Sequence, residues 1–389
     1  MRILFLAPQP FFVERGTPIA VRDAVAALAR AGHIVDLITL HTGEDIAIPG
    51  VRLVRASRPP FVGTVPIGLS PAKLACDVAL TIAAIKLLRS NVYDVIHAVE
   101  EAVFPAVLLK WFSRSSLIYD MDSLISAQLV ERWPQLFWLR PVLRRVEGWA
   151  VRHADIVLPV CAAIADEVAA MAPNASIHVL PDIFTAPSEA LPDGVQNLRA
   201  IFGQSVPLAL YVGNLESYQG VDLLIEAMAM LPITTSCGLV IVGGRADHIT
   251  RARIHAETSG SVGRVYFAGP APLAHLPHLL SQADILCSPR MKGFNTPMKI
   301  YSYMASGKAI LATSIISHTQ VLDKISAKLV PVKSQALAEA ITQLVDDPGL
   351  RTRIGRAAKC VAMQNFSLEA FEKRLSSAYA ELSDGVVAS

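Results

Sequence analysis

The feature that most constrains this chain is an alternation that runs through it and then restarts. Short, wholly apolar runs are each followed by a segment whose apolar residues recur every three or four positions. Apolar runs of this kind suit parallel strands covered on both faces, and the helical spacing between them supplies the crossovers. Ile3 to Ala7 is the first such run. A loop follows from Pro8 to Thr17, containing Glu14, Arg15, Gly16 and Thr17. Pro18 to Ala31 reads as a helix with Val21, Ala24, Val25, Leu28 and Ala29 on one face and Gly32 as its stop. Ile34 to Leu40 is the next strand. The loop thus stands at the carboxyl end of the first strand, where open α/β sheets bind ligands. No GxGxxG is present, which disfavours a dinucleotide site.

The pattern continues with strands at Val51 to Val54, Val95 to His97 and Ser116 to Tyr119, and helices at Pro71 to Leu88 and Phe104 to Phe112. Two strands run straight into polar residues, His97 to Glu101 and Tyr119 to Ser123. His97, Asp120 and Asp122 are therefore candidates for chemistry, while Asp122 or Ser123 would equally serve as a cap for the next helix. Arg132 to Arg152 interleaves Trp133, Phe137, Trp138 and Trp149 with arginines. It reads either as a helix lying in a membrane interface or as a packed helix with snorkelling arginines. Strand Ile156 to Pro159, helix Ala162 to Ala170 and strand Ile177 to Leu180 complete this half.

Pro187 to Pro207, rich in Pro, Ser, Gly and Asp, reads as a linker, after which the alternation begins again. Strand Leu208 to Val212 leads into Gly213 to Gly220 and helix Val221 to Met230. Strand Leu239 to Val242 leads into Gly243 and Gly244. Strand Val265 to Ala268, helix Leu273 to Gln282 and strand Ile285 to Cys287 follow. Two such halves imply an α/β chain with two doubly wound domains, 1–186 and 187–365, facing across a cleft. A last helix, Phe366 to Leu382, is expected to cross back onto the first domain.

Composition narrows the class. The 389 residues carry a net charge of +2, which gives no electrostatic case for nucleic acid. The chain is 52% apolar with a mean hydropathy of +0.43, yet no run reaches the roughly 20 apolar residues that a bilayer span needs. The Leu74 to Leu88 stretch is too short and carries Asp77 and Lys86. Ile3 to Ala7 is too brief for a signal-peptide core before Pro8 ends it. Five cysteines, with no CxxC pair and no metal spacing, read as reduced core residues of a cytoplasmic protein.

Ser288 to Thr313 is the densest stretch. Arg290 and Lys292 lie in a loop. Asn295, Thr296 and Pro297 read as a helix start with Thr296 as N-cap, and Ser306-Gly307 as its end. Lys299 then stands in the first turn, facing the positive end of the helix dipole. Either the side chain bends into solvent, or an anion at the helix N-terminus offsets the repulsion.

In this order the motifs resemble glycosyltransferase family 4, retaining enzymes of the GT-B fold that use nucleotide sugars. The resemblance rests on Asp94-Val95-Ile96-His97, Ala154 to Val160, Gly213 to Ala227, Ala283 to Leu286 and Tyr303 to Lys308. It implies two Rossmann-like domains, a donor site in the second and an acceptor site in the first. The donor diphosphate would lie against Gly16, Thr17, the loop after Leu208 to Val212, Gly243 and the helix near Pro297, with no metal and no bound cofactor. Arg290, Lys292 and Lys299 would offset its charge. Asn214 and Gln219 would bond to it, Asn295 and Thr296 would belong to the donor site, and Ser302 would take the ribose contact. His97, Asp120 or Asp122 would orient or deprotonate the acceptor. The acceptor is expected to be a lipid or lipid-linked glycan met at the inner membrane face.

This sequence departs from the family pattern at several places. Asn214 and Gln219 stand where the family places Arg and Lys on the diphosphate. Lys292 and Ser302 stand near the positions of its paired glutamates, and Pro297 lies two residues earlier than usual relative to Gly307. Val99 fills the second position of the HxH that many members show, and Asp122 lies near where many have His. A noncatalytic nucleotide-sugar-binding scaffold and a GT-B epimerase are the alternatives. A phosphorylase with lysine-bound pyridoxal phosphate is a further one.

Overall fold

The structure is a computed structural model that describes residues 1–60, 62–63, 65, 70–184 and 192–387, with backbone alone at 132 and 384–387. Positions 187–191 of the Pro187 to Pro207 linker, and with them the expected 186/187 boundary, lie outside the described residues. The chain divides into two compact units: Met1–Pro181 together with the chain from Phe371 onward, and Asp182–Ala370.

In the first unit the strands are β1 (Arg2–Ala7), β2 (Ile34–Thr39), β3 (Val51–Arg55), β4 (Val95–Val99), β5 (Ser116–Met121) and β6 (Ile156–Pro159). The helices are α1 (Gly16–Arg30), α2 (Pro71–Ser90), α3 (Val103–Ser113), α4 (Ile125–Arg132), α5 (Arg140–His153) and α6 (Ala162–Met171). The second unit holds β7 (Leu208–Val212), β8 (Gly238–Val242), β9 (Val265–Gly269), β10 (Ile285–Ser288), β11 (Ala309–Thr313) and β12 (Lys328–Val330). Its helices are α7 (Arg199–Phe202), α8 (Val221–Met230), α9 (Ala246–Ser259), α10 (Leu276–Gln282), α11 (Met298–Ser306), α12 (Ile316–Thr319), α13 (Ser334–Asp346) and α14 (Pro348–Asn365). The last helix, α15 (Leu368–Val387), begins at the end of the second unit and finishes in the first.

Among the described residues each unit contains one six-stranded parallel sheet. The orders are β3-β2-β1-β4-β5-β6 and β9-β8-β7-β10-β11-β12, so the two sheets share one doubly wound topology. Ile3 to Ala7 and Ala309 to Thr313 are wholly buried, which is why these runs carry apolar residues without alternation. In this topology the strand order reverses between β1 and β4, and again between β7 and β10. Ligands bind outside the carboxyl ends of the strands at such points.

Several expectations need correction. Ile177 to Leu180 is no strand; a single bridge, Val157 to Ile177, is all that forms. Arg132 to Arg152 is not one helix. Pro134 and Pro141 cannot continue one, so the segment becomes the end of α4, a 3₁₀ turn (Pro134–Leu139) and α5. The start of Leu273 to Gln282 is likewise a 3₁₀ turn (Leu273–His275) before α10. Cys360 is exposed, unlike the other four cysteines. Neither Asp122 nor Ser123 caps α4. The buried Glu147 carboxylate does so instead, accepting from Ile125 N at 2.7 Å and Ser126 Oγ at 2.5 Å. No helix among the described residues is long and apolar enough to cross a membrane.

Candidate active site

At the switch point of the second sheet, the loop after β7 meets the loop after β10. Gly213 has φ +146°, and a Cβ there would stand 3.1 Å from Lys299 Nζ and 3.2 Å from the Tyr211 hydroxyl. Gly243 has φ +108°, and its Cβ would fall 2.2 Å from the Gly213 carbonyl. Both positions therefore need glycine, for backbone conformation and for close approach. Across from them α11 begins one residue later than the sequence suggests. Pro297, not Thr296, is the N-cap, with ψ 131°, and Lys299 is the second helical residue rather than the third. The Thr296 hydroxyl is engaged elsewhere: it accepts from Gln320 Nε2 at 2.9 Å. The helix is fixed to β7 by Tyr303, whose hydroxyl accepts from Val212 N at 2.9 Å.

Lys299 does not turn into solvent. Its ammonium sits 3.9 Å from the centre of the Tyr211 ring and donates to Gln219 Oε1 at 3.3 Å. Burial, and then the nearby Arg290 guanidinium, bring its pKa down to about 7. Tyr211 is itself held by donating to the Asn214 carbonyl at 2.6 Å. The side chain of Asn214 is exposed and accepts from Glu216 N at 3.2 Å; Gln219 is buried.

Arg290 is buried and shapes its own loop. Nε donates to the Lys292 carbonyl at 2.8 Å, Nη1 to the Asn295 carbonyl at 3.0 Å and Nη2 to Asn295 Oδ1 at 3.2 Å. Asn295 thus serves Arg290. Lys292 is exposed, and Ser302 is buried on α11. Sequence reasoning missed two members of this site. Tyr211 was hidden in an otherwise aliphatic strand. His318 lies buried beneath the loop, bonded to Ser288 Oγ at 2.9 Å and to the Thr313 carbonyl at 2.8 Å. Burial holds its pKa down at about 4, so it adds no third positive charge.

The first sheet's switch point has the opposite character. His97 on β4 is fully buried and stacked on Phe5 at 4.1 Å. Its Nε2 donates to Asp120 Oδ2 at 3.2 Å and its Nδ1 accepts from the Tyr379 hydroxyl at 2.8 Å. With both nitrogens used, His97 positions Asp120 and has no nitrogen left for a substrate. Asp122, bonded by the Thr17 hydroxyl at the start of α1, has its pKa raised to about 7 by burial and by Asp120. Gly16 begins α1 and is exposed. Glu100, also missed, adopts left-handed backbone at φ 51°. Both its carboxylate oxygens accept from Ser123 Oγ, at 2.9 and 3.0 Å. Burial, then Asp122 and Glu101, push its pKa well up. Its signal is a backbone angle, which composition and spacing do not reveal.

Two doubly wound units in one chain are the arrangement that the resemblance to nucleotide-sugar-dependent transferases implies. Comparison with known proteins agrees. Residues 15–182 match the glycosyl transferase 4-like domain and residues 200–361 match the glycosyl transferases group 1. The glycogen synthase of Mycobacterium tuberculosis is 25% identical over 92% of this chain and 89% of its own length. Among solved structures, sucrose-phosphate synthase from Thermosynechococcus elongatus superposes with a TM-score of 0.81 at 21% identity, over 99% of both chains. The Anabaena protein HepE in complex with UDP-glucose superposes with a TM-score of 0.72 at 19% identity, over 98% of this chain and all (100%) of that one. The chain belongs to the GT-B glycosyltransferases of family 4, and it is a glycosyltransferase enzyme.

Proposed function

We propose that the enzyme transfers a sugar from a nucleotide-diphosphate sugar to an acceptor hydroxyl with retention at the anomeric carbon. The observation that carries this reading is the position of Lys299. The family's lysine is missing at position 219, but the Lys299 ammonium returns to that place from another element and bonds to the Gln219 side chain. A cation desolvated beside Arg290 is unfavourable alone and favourable once an anion is bound. A leaving diphosphate, seated against the loop glycines and the N-terminal end of α11, is such an anion. The HepE complex with UDP-glucose supports a nucleotide sugar as the donor.

In the reaction the bond from the anomeric carbon to the diphosphate oxygen breaks as the acceptor oxygen bonds on the same face. Lys299 stabilises the charge that develops on the diphosphate. Asp122, poised near neutrality, takes the acceptor proton, while His97 holds Asp120 beside it. A thermal-shift screen of nucleoside diphosphates and nucleotide sugars tests this: one member stabilises the wild type, and Lys299→Ala abolishes that shift. If no nucleotide stabilises the protein, the reading fails. Proton NMR of the product's anomeric centre checks retention.

The acceptor reading is a lipid or lipid-linked glycan met at a membrane surface. Phe137 and Trp138, 63% and 72% exposed, are followed along the chain by the exposed Arg140 and Arg145. Apolar rings next to cations suit an anionic interface. Vesicle flotation checks this: Phe137→Ser/Trp138→Ser lowers the bound fraction several-fold on anionic vesicles, and equal flotation of variant and wild type overturns it.

A further inference from the structure

Packed helices leave few voids larger than a water molecule. Yet between α2, α3, α4 and α5 the first unit leaves a half-open cavity of about 400 Å3, with the exposed Leu74, Val78 and Val146 at its mouth. Its wall is mostly hydrocarbon, with Leu74, Val78, Phe104, Leu129, Leu143 and Val146 prominent. The polar side chains in the wall are spent on other groups of the protein. Lys73 bridges Asp77 and Glu101, and Glu147 holds the start of α4. Outside, the same helical stripes continue as exposed apolar residues: Ile82 on α2, Leu108, Trp111 and Phe112 on α3, and Val142 on α5. The cavity also has polar groups in its wall: the carboxylates of Asp77, Glu101 and Glu147 line it, the first two bridged by Lys73.

We infer that this cavity holds a single hydrocarbon chain of an amphiphile, with an uncharged, hydroxyl-bearing head beside the Asp77 and Glu101 carboxylates. The inference deepens the reading of the acceptor as a lipid and rests on it. The volume decides against a docked helix, since about 400 Å3 is roughly one turn of a cylinder 10 Å across. It lies within the range of small-molecule pockets. The carboxylates of Asp77, Glu101 and Glu147 in the wall decide against an anionic head and favour hydroxyls as partners. An exposed apolar stripe leading into the cavity gives a chain a path from a bilayer that avoids water.

The test uses the full chain and N-phenyl-1-naphthylamine, a neutral apolar fluorophore, displaced by n-hexyl to n-dodecyl glucosides below their micelle concentrations. Geraniol and farnesol form a second arm that separates isoprenoid from straight chains. Affinity rises about fourfold per added methylene until the cavity is full. Leu129→Trp, which fills the cavity, brings the plateau to shorter chains. Val78→Asp, at a half-exposed position that folding tolerates, weakens every member of the series. Circular dichroism melts verify that both variants fold. A series with no length dependence, or the same series in wild type and both variants, overturns the proposal. So does concentration-dependent dimerisation that the glucosides fail to reverse. The binding assay involves no transfer, so the two readings fail separately. If the cavity binds chains but only soluble acceptors are glycosylated, the acceptor reading falls and the cavity stands. If lipid acceptors react while the cavity stays empty, the proposal falls alone.

Discussion

At the switch point of the first sheet, Glu100, Asp120 and Asp122 crowd together, and burial pushes the carboxyls of Glu100 and Asp122 towards the neutral form. At the corresponding point of the second sheet, Lys299 is pushed towards its neutral form by burial and then by Arg290. The strand orders are the same and the sites lie after equivalent strands, β4 and β10. The fold therefore fixes where a ligand meets each unit, and a few side chains fix which charge it meets. Each site is unfavourable when empty and relieved by a group of the opposite kind. One site is a cluster of carboxyls, the other a pair of cations.

The strongest way to break this comparison is to remove the cation. Lys299→Met lowers kcat/KM for the nucleotide sugar about 100- to 1,000-fold, the range for losing one group that stabilises developing charge. Without ligand it leaves the melting temperature unchanged or raises it, because a desolvated charge is gone. A fall in melting temperature with unchanged nucleotide binding would mean that the lysine is only structural. Next in size is Gly243→Ala. Positive φ alone costs about 1–3 kcal/mol, and the Cβ would also meet the Gly213 carbonyl at 2.2 Å. Urea unfolding of the second unit should show a loss at the upper end of that range or beyond.

The subtlest effect is a pair of opposite pH slopes. Asp122 has a folded pKa of about 7 against 3.8, so the folded first unit holds protons that the unfolded chain releases. Its stability is full below about pH 4 and falls as pH rises towards 7. Lys299 has a folded pKa of about 7 against 10.5, so the folded second unit releases its proton first. That unit gains stability as pH rises from about 7 towards 10.5. Denaturant midpoints across pH, with Asp122→Asn and Lys299→Met flattening one slope each, check both signs.

Much of this fold was legible because it is written in buried strands. Ile3 to Ala7 and Leu208 to Val212 announce themselves by apolar content, and their order implies the doubly wound sheets. Local periodicity failed where local chemistry interrupts it, as at Pro134 and Pro141. The site was legible in place and not in geometry. Lys299 stood out because a lysine in a first turn is odd, but its partner Gln219 lies 80 residues away. The bonding of His97 depends on Tyr379, 282 residues away, which no spacing suggests. Glu100 stayed hidden because a left-handed glutamate looks like any other glutamate in a sequence.

The last helix bears on the order in which the units mature. α15 leaves the second unit after Ala370 and supplies Tyr379 to His97, Glu372 to Arg30 and Glu381 to His178 in the first. Domains generally fold as they emerge during synthesis, amino-terminal first. Here the amino-terminal unit must wait. Its sheet can form early, but the histidine beneath Asp120 finds its partner only after the whole second unit has been translated. The carboxylate site of the first unit is therefore finished last, once the second unit already exists.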